Sequence, residues 1–501
     1  MIIEKKQHKG LKISLLVTLG LLFIVGGSLG AYFGYQFVTK TGIFKIPGVV
    51  TYAENLTEAE IEQFKSIFTD ELILDENLSI YATETLEKPE LESNQFLTNI
   101  YVPVTNFYSA ETTVDSKTYF VDGELQQCNC GVTWIDFEDL SFNQTLLAVD
   151  GNYYLDTFDK GAIYRYVTFE SETYAKEIEP LVKDLYTMSF PTSDEVLTFA
   201  QTGVTALSRG MHTKLKNNGY DGTYFSKNIK DFLSGFDLTH TSNESSFTNA
   251  AYDRNICSNP AFINTLLDIG LDIVELTGNH NNDCGFDAAR ESIDIYKEHG
   301  IKIVGGGKNA EEAAIPLEIK EKGNNITFIA YNQSTGGATL GNYPGANQFY
   351  EADAVSRIKA AKEKGDFVIV DIQYYECNAY ASTYEDPICD RANSSAGDQI
   401  GFFRHFIDLG ADVVVGTSAH QAQTYELYGN GVIYYGLGNL FFDQVWWPGT
   451  TRSLVLAHYF KDGKLLQTKI VPTVYDSTMQ TRLMDEETRA WFLNRLMSVR
   501  P

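Results

Sequence analysis

Four short stretches of this 501-residue chain place carboxylates, imidazoles and amides where an α/β protein does its chemistry. The first is Thr277-Gly278-Asn279-His280, with Asp283 and Gly285 just behind, following the apolar run 272–276. Asn beside His on a strand-to-helix turn offers an amide oxygen for a metal and an imidazole for a phosphate or a leaving group. The second is Gly416-Thr417-Ser418-Ala419-His420, again directly after an apolar strand. Gln373 closes a third strand that starts at Phe367, with Glu376 close behind, and Glu244 follows a fourth at 237–241. Ligands gather beyond the C-terminal ends of strands in open α/β sheets, so the four positions count jointly. Singly, each also has a structural reading. A strand-end His is often a hydrogen-bonded core residue, and Asn is at home in turns.

The elements that must position these groups begin near Asp194. Apolar segments at 196–200, 272–276, 302–304, 326–331, 367–372, 412–415 and 432–435 read as strands buried on both faces. Amphipathic patterns at 260–269, 286–299, 352–364 and 398–409 read as the helices between them. The repeated βα order predicts a layered α/β domain. Gly270 and Gly410 stand just past helix ends, where a left-handed cap favours glycine. Upstream, 51–194 mixes helical and strand-like stretches and predicts an α+β domain without a catalytic constellation. Thr57 and Glu60 have capping-box spacing before a helix at 57–68; 100–107 and 145–149 read as strands, and Asp150-Gly151 as a turn.

Between Lys12 and Lys40 no residue is charged, and 13–39 is dominated by Leu, Val, Ile, Phe and Gly. A helix needs about 20 apolar residues to cross the hydrocarbon core, so this run reads as a single transmembrane anchor. Lys5, Lys6, Lys9 and Lys12 precede it, and cationic flanks stay cytoplasmic. The expected topology is a cytoplasmic tail at 1–12 with the bulk extracellular; a cleaved signal peptide ending near Ser28, Gly30 and Ala31 is the rival. A net charge of -27 with no basic patch excludes a nucleic-acid surface. All six cysteines follow the anchor, and Cys257 with Cys284 and Cys377 with Cys389 are spaced to clamp local loops. Cys128 and Cys130 are too near each other to bridge without strain.

Residues 195–475 resemble the CapA family, capsule-synthesis proteins linked to poly-γ-glutamate with a calcineurin-like metallophosphatase fold. The resemblance rests on 270–280 (Gly-Leu-Asp-Ile-Val-Glu-Leu-Thr-Gly-Asn-His), on the Gly305-Gly306-Gly307 strand end, on 311–316, and on Gly416, His420 and Gln423 followed by 434–443 (Tyr-Tyr-Gly-Leu-Gly-Asn-Leu-Phe-Phe-Asp). The family pattern opens with Gly-Asp on the first strand, the Asp being a metal ligand. Here that position is Val204, while Arg209 is kept. The family's Asn-Leu-Glu keeps only its Glu, as Glu244; its later strand-end His is Gln373, and the first His of its His-rich motif is Thr417. The 146–151 stretch echoes a solute-binding-like half that precedes some CapA-type domains, and 476–501 reads as a helical tail.

The resemblance implies a membrane-anchored protein in synthesis, export or tethering of an anionic capsule polymer such as poly-γ-glutamate, with the membrane and the polymer or its synthesis complex as partners. Two-metal hydrolysis needs a bridging carboxylate and several imidazoles, and Val, Gln and Thr remove much of that set. Three readings of the site stand open. One divalent ion is held by Glu244, Asn279 and His420 with Gln373; or Glu244 and His280 act as a metal-free acid and base; or the pocket only binds. Arg209 and Thr417 are the candidate substrate contacts, and Lys308 and Arg452 could extend a basic groove. The alternative to a degenerate hydrolase is a non-catalytic extracellular binding or assembly module.

Overall fold

The computed structural model describes residues 2–5, 49–68, 77–127, 131–171, 178–183, 185–251, 254–333, 336–339, 341–374 and 399–500. The apolar run 13–39, Glu376, Cys128, Cys130, Cys377 and Cys389 lie outside them. Among the described residues no helix is long and apolar enough to cross a membrane. The chain forms two compact units: Met1–Val104 with Thr113–Asp139 and Leu147–Pro191, and Thr192–Pro501 with Thr105–Thr112 and Leu140–Leu146.

In the first unit, helix α1 (Glu58–Ile67) opens on the expected capping box: Thr57 Oγ1 accepts from Glu60 N, and Glu60 Oε2 accepts from Thr57 N. Its apolar face, Ile61 and Phe64, packs on the antiparallel strands β1 (Leu78–Thr85), β2 (Gln95–Asn106) and β3 (Ile163–Glu170), with β3 central. The buried Arg165 guanidinium ties that helix down through Glu60. The strand expected at 100–107 is the second half of β2, and 145–149 divides into Gln144–Leu146 and Ala148–Val149. Asp150 and Gly151 make the expected turn, both with positive φ. Ile2–Lys5 pairs in parallel with Val49–Tyr52.

The second unit is built on two sheets. The first runs β7 (Lys302–Val304), β6 (Ile273–Glu275), β5 (Leu238–Asn243), β4 (Leu197–Thr205), β15 (Arg452–Lys461), β16 (Lys464–Val474) and β17 (Arg482–Leu483), with β14 (Asn439–Phe441) also on β4. The second runs β8 (Leu317–Glu321), β9 (Asn324–Asn332), β10 (Phe367–Gln373), β11 (Val413–Gly416), β13 (Gly431–Tyr434) and β12 (Tyr425–Tyr428). The central strands β4 to β7, and β9, β10, β11 and β13, are parallel.

Alternation along each strand explains the layering. On β9, Ile326 and Phe328 join Leu197, Phe199 and Ile273 between the sheets, while Ile329 and Tyr331 face helices α5 (Glu351–Glu363) and α6 (Gln399–Asp408). On β6, Ile273 faces inward and Val274 faces the helices α2 (Gly210–Asn217), α3 (Ile263–Asp268) and α4 (Phe286–Glu298). A strand covered on both faces must be apolar at every position, which is why these segments read as continuous hydrophobic runs. The result is helix–sheet–sheet–helix, and each fully buried Val or Leu in it contributes about 1.5–3 kcal/mol.

Gly270 and Gly410 take the expected positive φ. The 260–269 helix divides into a 3-10 turn, Pro260–Phe262, and α3. The C-terminal α7 (Glu486–Ser498) is no loose tail: Phe492, Leu493, Leu496 and Met497 enter the cluster between the sheets. The hairpin β15–β16, turned by Asp462 and Gly463 at positive φ, has no counterpart in the sequence reading.

Candidate functional site

The strand-end residues are linked into one ring by short contacts. Val204, near the end of β4, pairs with Asn439 of β14, and Glu244 N donates to Thr205 O at 2.9 Å. Glu244 is 1% exposed and backs onto the next strand-end turn: a Cβ on Gly278 would lie 2.7 Å from its Cα and 2.9 Å from its Cγ. Only glycine lets the two chains pass so closely. Asn279 then accepts, through Oδ1, from Gln373 Nε2 at 3.0 Å, a bond from the first sheet to the second. Thr417 N donates to Ile372 O at 3.0 Å, beside Gln373. His420, three residues on, closes the ring with Nδ1 2.8 Å from Asn439 Oδ1.

That last contact fixes a tautomer. Asn439 Nδ2 lies within donating distance of Gln444 Oε1 (3.2 Å), Thr450 O (3.0 Å) and Tyr475 Oη (3.3 Å), so its Oδ1 must face His420. His420 therefore donates from Nδ1 and carries its lone pair on Nε2. His280 is set likewise by Asp283, whose Oδ2 lies 2.7 Å from Nδ1, but this pair is partly exposed, with side chains 29% and 42% accessible. The disulfide Cys257–Cys284 clamps the turn that carries them. Arg209 sits over Phe442, 4.4 Å from the ring centre, and His420 lies 5.2 Å from the same ring. Its guanidinium is committed to Asp443, with Nε at 3.1 Å from Oδ1, which limits the substrate-contact role expected from sequence. Lys308 pairs with Asp294 and Arg452 stacks on Trp491, so neither is tied to the ring by these contacts.

Several polar atoms around the ring are buried without a hydrogen-bond partner: Gln373 Oε1, Thr417 Oγ1 and both amide atoms of Gln421. A second polar layer lies deeper, between the sheets. Gln201 Nε2 donates to Asp371 Oδ1 at 2.6 Å, His240 Nε2 is 3.3 Å from Asp371 Oδ2, and His458 Nε2 is 3.2 Å from Gln201 Oε1. Burial, with Asp371 nearby, pushes the Glu275 carboxyl up, and its Oε1 accepts from Thr277 N at 2.6 Å, shaping the turn into Asn279. Burial, then the neighbouring His240, lowers His458 to about 3, so it is neutral.

The residues do not fit a two-ion centre. Val204 packs with Ala206 and Phe442 in an apolar cluster, and the end of β10 offers an amide where an imidazole would bind. Among the described residues no group of three or more His, Cys, Asp or Glu is placed to hold a metal.

The sequence reading missed Asn439 and Asp443 as organisers of His420 and Arg209, though both stand in the quoted 434–443 motif. It also missed the layer of Gln201, His240, Asp371 and His458, which sits at positions where apolar residues are the rule.

The family model described as "Bacterial capsule synthesis protein PGA_cap" matches residues 198–444, the stretch that carries this ring. The chain belongs to the CapA family. The "Capsule biosynthesis protein CapA" of Bacillus anthracis is 22% identical over 293 residues, 56% of this chain and 67% of that one. The "PGA biosynthesis protein CapA" of Bacillus subtilis (strain 168) is 24% identical over 278 residues, 54% of this chain and 70% of that one. A solved structure, TT1561 of Thermus thermophilus, covers 53% of this chain and 99% of its own at 12% identity, with a TM-score of 0.28, too loose to carry an argument. In this CapA-family chain Glu244, Asn279, Gln373, Thr417 and His420 fall in one ring, with His280 and Arg209 at its edge.

Proposed function

We propose that this CapA-type chain handles a capsule polymer at the outer face of the cell membrane, with the strand-end ring as the site that contacts it. The observation that carries the reading is the ring itself: the strand ends that bear Glu244, Asn279, Gln373, Thr417 and His420, from both sheets, are linked by backbone and side-chain contacts at the C-terminal ends of parallel strands. Such an arrangement is consistent with the metallophosphatase-like fold that the resemblance implies. The cargo the resemblance suggests is an anionic polymer such as poly-γ-glutamate, taken from or passed to its synthesis complex. Glu244 offers a buried carboxylate, and His420 and His280 offer imidazoles, so proton transfer at an amide or ester bond is within the chemistry of these groups. The binding-only reading draws on the closed Val204 cluster and the Gln373–Asn279 bond, which leave the ring poor in metal ligands.

Replacing the native copy by Glu244→Gln or His420→Ala in the producing cell, with protein level checked, tests the reading. Surface polymer should fall at least several-fold in each; wild-type polymer in both would sink it. Polymer chain length separates the two versions, since a hydrolase defect lengthens chains and a binding defect lowers yield alone.

The anchor at 13–39 remains part of this proposal. An inserted helix would part Ile2–Lys5 from Val49–Tyr52, so that strand pairing and a membrane span exclude one another. Extraction of cell membranes at alkaline pH decides between them. A spanning chain stays in the pellet, and a chain that keeps the pairing is released.

A further inference from the structure

We infer that the strand-end site works without a bound metal, and that the amide pair Gln373–Asn279 supplies the tie between the two sheets that an ion would otherwise make. The inference rests on the reading of these strand ends as the functional site, and it concerns how that site is held together.

Three observations carry it. First, the innermost strand position has been closed to ligands. Val204 is fully buried and packs with Ala206 and Phe442, so the end of β4 contributes hydrocarbon where a carboxylate would have to reach in. Second, the two amides face each other the wrong way for a cation. An ion between Gln373 and Asn279 would draw both carbonyl oxygens inward. Instead Gln373 turns its nitrogen onto Asn279 Oδ1 at 3.0 Å, while its own Oε1 is left without a partner. Third, the carboxylate nearest Arg209 is already spent. The Arg209 guanidinium stacks 4.4 Å from the Phe442 ring that His420 also flanks and is paired with Asp443, so that carboxylate holds a guanidinium and not an ion.

The tie is repeated one layer down. Asn279 follows β6 in the first sheet and Gln373 ends β10 in the second; beneath them Gln201 of β4 donates to Asp371 of β10 at 2.6 Å. Two side-chain bridges from the first sheet thus meet the same strand of the second, two residues apart. The lower bridge is buried and the upper one partly so, where a hydrogen bond is little diluted by water.

The test uses the full chain, purified in detergent without chelator. Metal content is measured by mass spectrometry, and thermal unfolding is followed with added MnCl2, ZnCl2 or EDTA. The expected result is substoichiometric metal and an unfolding midpoint that none of the three raises or lowers, because a bound ion would stabilise by mass action. One ion per chain that is lost in Glu244→Gln or His420→Ala would overturn the inference. An ion that both variants retain sits elsewhere and leaves it standing. Gln373→Leu, which keeps bulk and removes the bridge, should lower the midpoint by a few degrees in buffer alone. The same loss should not be repaired by Mn2+. A midpoint unchanged in Gln373→Leu would contradict the bridging role. An ion lost in Glu244→Gln or His420→Ala, with polymer still dependent on Glu244 and His420, would overturn this inference only. Polymer indifferent to both residues would sink the functional reading and leave the metal measurement untouched.

Discussion

At Gly278 two strand-end turns touch, and Glu244 has no room to retreat. Gly278→Ala would bring a Cβ to 2.7 Å from Glu244 Cα, so the neighbouring chain must shift. The expected cost is about 1–3 kcal/mol of stability, with the larger effect on the site, because Glu244 is the carboxylate displaced. Chemical denaturation together with surface polymer measures both; equal stability and equal polymer would show the approach to be slack. His458 gives a pH dependence of definite sign. Its folded pKa, about 3, lies below that of an unfolded His, so as pH falls the unfolded chain takes up a proton first. Stability from this group is complete above about pH 6.5 and declines as pH falls toward 3, by about 2 kcal/mol at pH 5. Glu275, raised by burial, works in the opposite direction, but it is common to both chains when wild type is compared with His458→Gln. The variant should show the flatter acid limb in pH-dependent unfolding, and parallel limbs would rule out a neutral His458.

Among the elements, the turn from Asn279 to Gly285 is held from outside by Cys257–Cys284, across 27 residues of sequence. Opening such a loop should cost about 3 kcal/mol by loss of chain restriction in the unfolded state. Cys257→Ser with Cys284→Ser should therefore lower the denaturation midpoint, and reductant should move the wild type further than the double variant. A wild type indifferent to reductant would show that the clamp contributes nothing.

This turn also shows what was legible in the sequence. The strands flanking it announce themselves as apolar runs because both faces are covered, and Gly270 announces the helix end because that backbone needs positive φ. The spacing of Cys257 and Cys284 was legible for the same reason, since both lie beside one turn. Hairpin β15–β16 was not. On its inward face position 458 is a His, so apolar alternation is broken, and one of its polar partners, Gln201, is far away in sequence. The ring was half legible. Glu244, Asn279, Gln373 and His420 could be named from strand ends, but the Asn439 that sets His420's tautomer is recruited by tertiary packing.

For the whole molecule, a net charge of -27 bears on any anionic cargo. A polyanion approaching this surface is repelled at long range, so its capture should strengthen as salt is added up to the point where local contacts are screened too. A neutral cargo would show no such rise. The central claim, that the strand-end ring is where the polymer is met, can be read directly from imidazole NMR signals of the full chain carrying labelled histidine. Of the eight histidines, His420 lies in the ring and His280 on its edge, whereas His299 ends α4, about 20 Å along the helix axis from the site end. His405 pairs with Glu351 on α5, on the helix-covered side of the second sheet. On titration with the capsular polymer of the producing cell, the His420 and His280 signals should move together while His299 and His405 stay fixed. Shifts confined to His299 or His405, or none at saturating polymer, would contradict the claim.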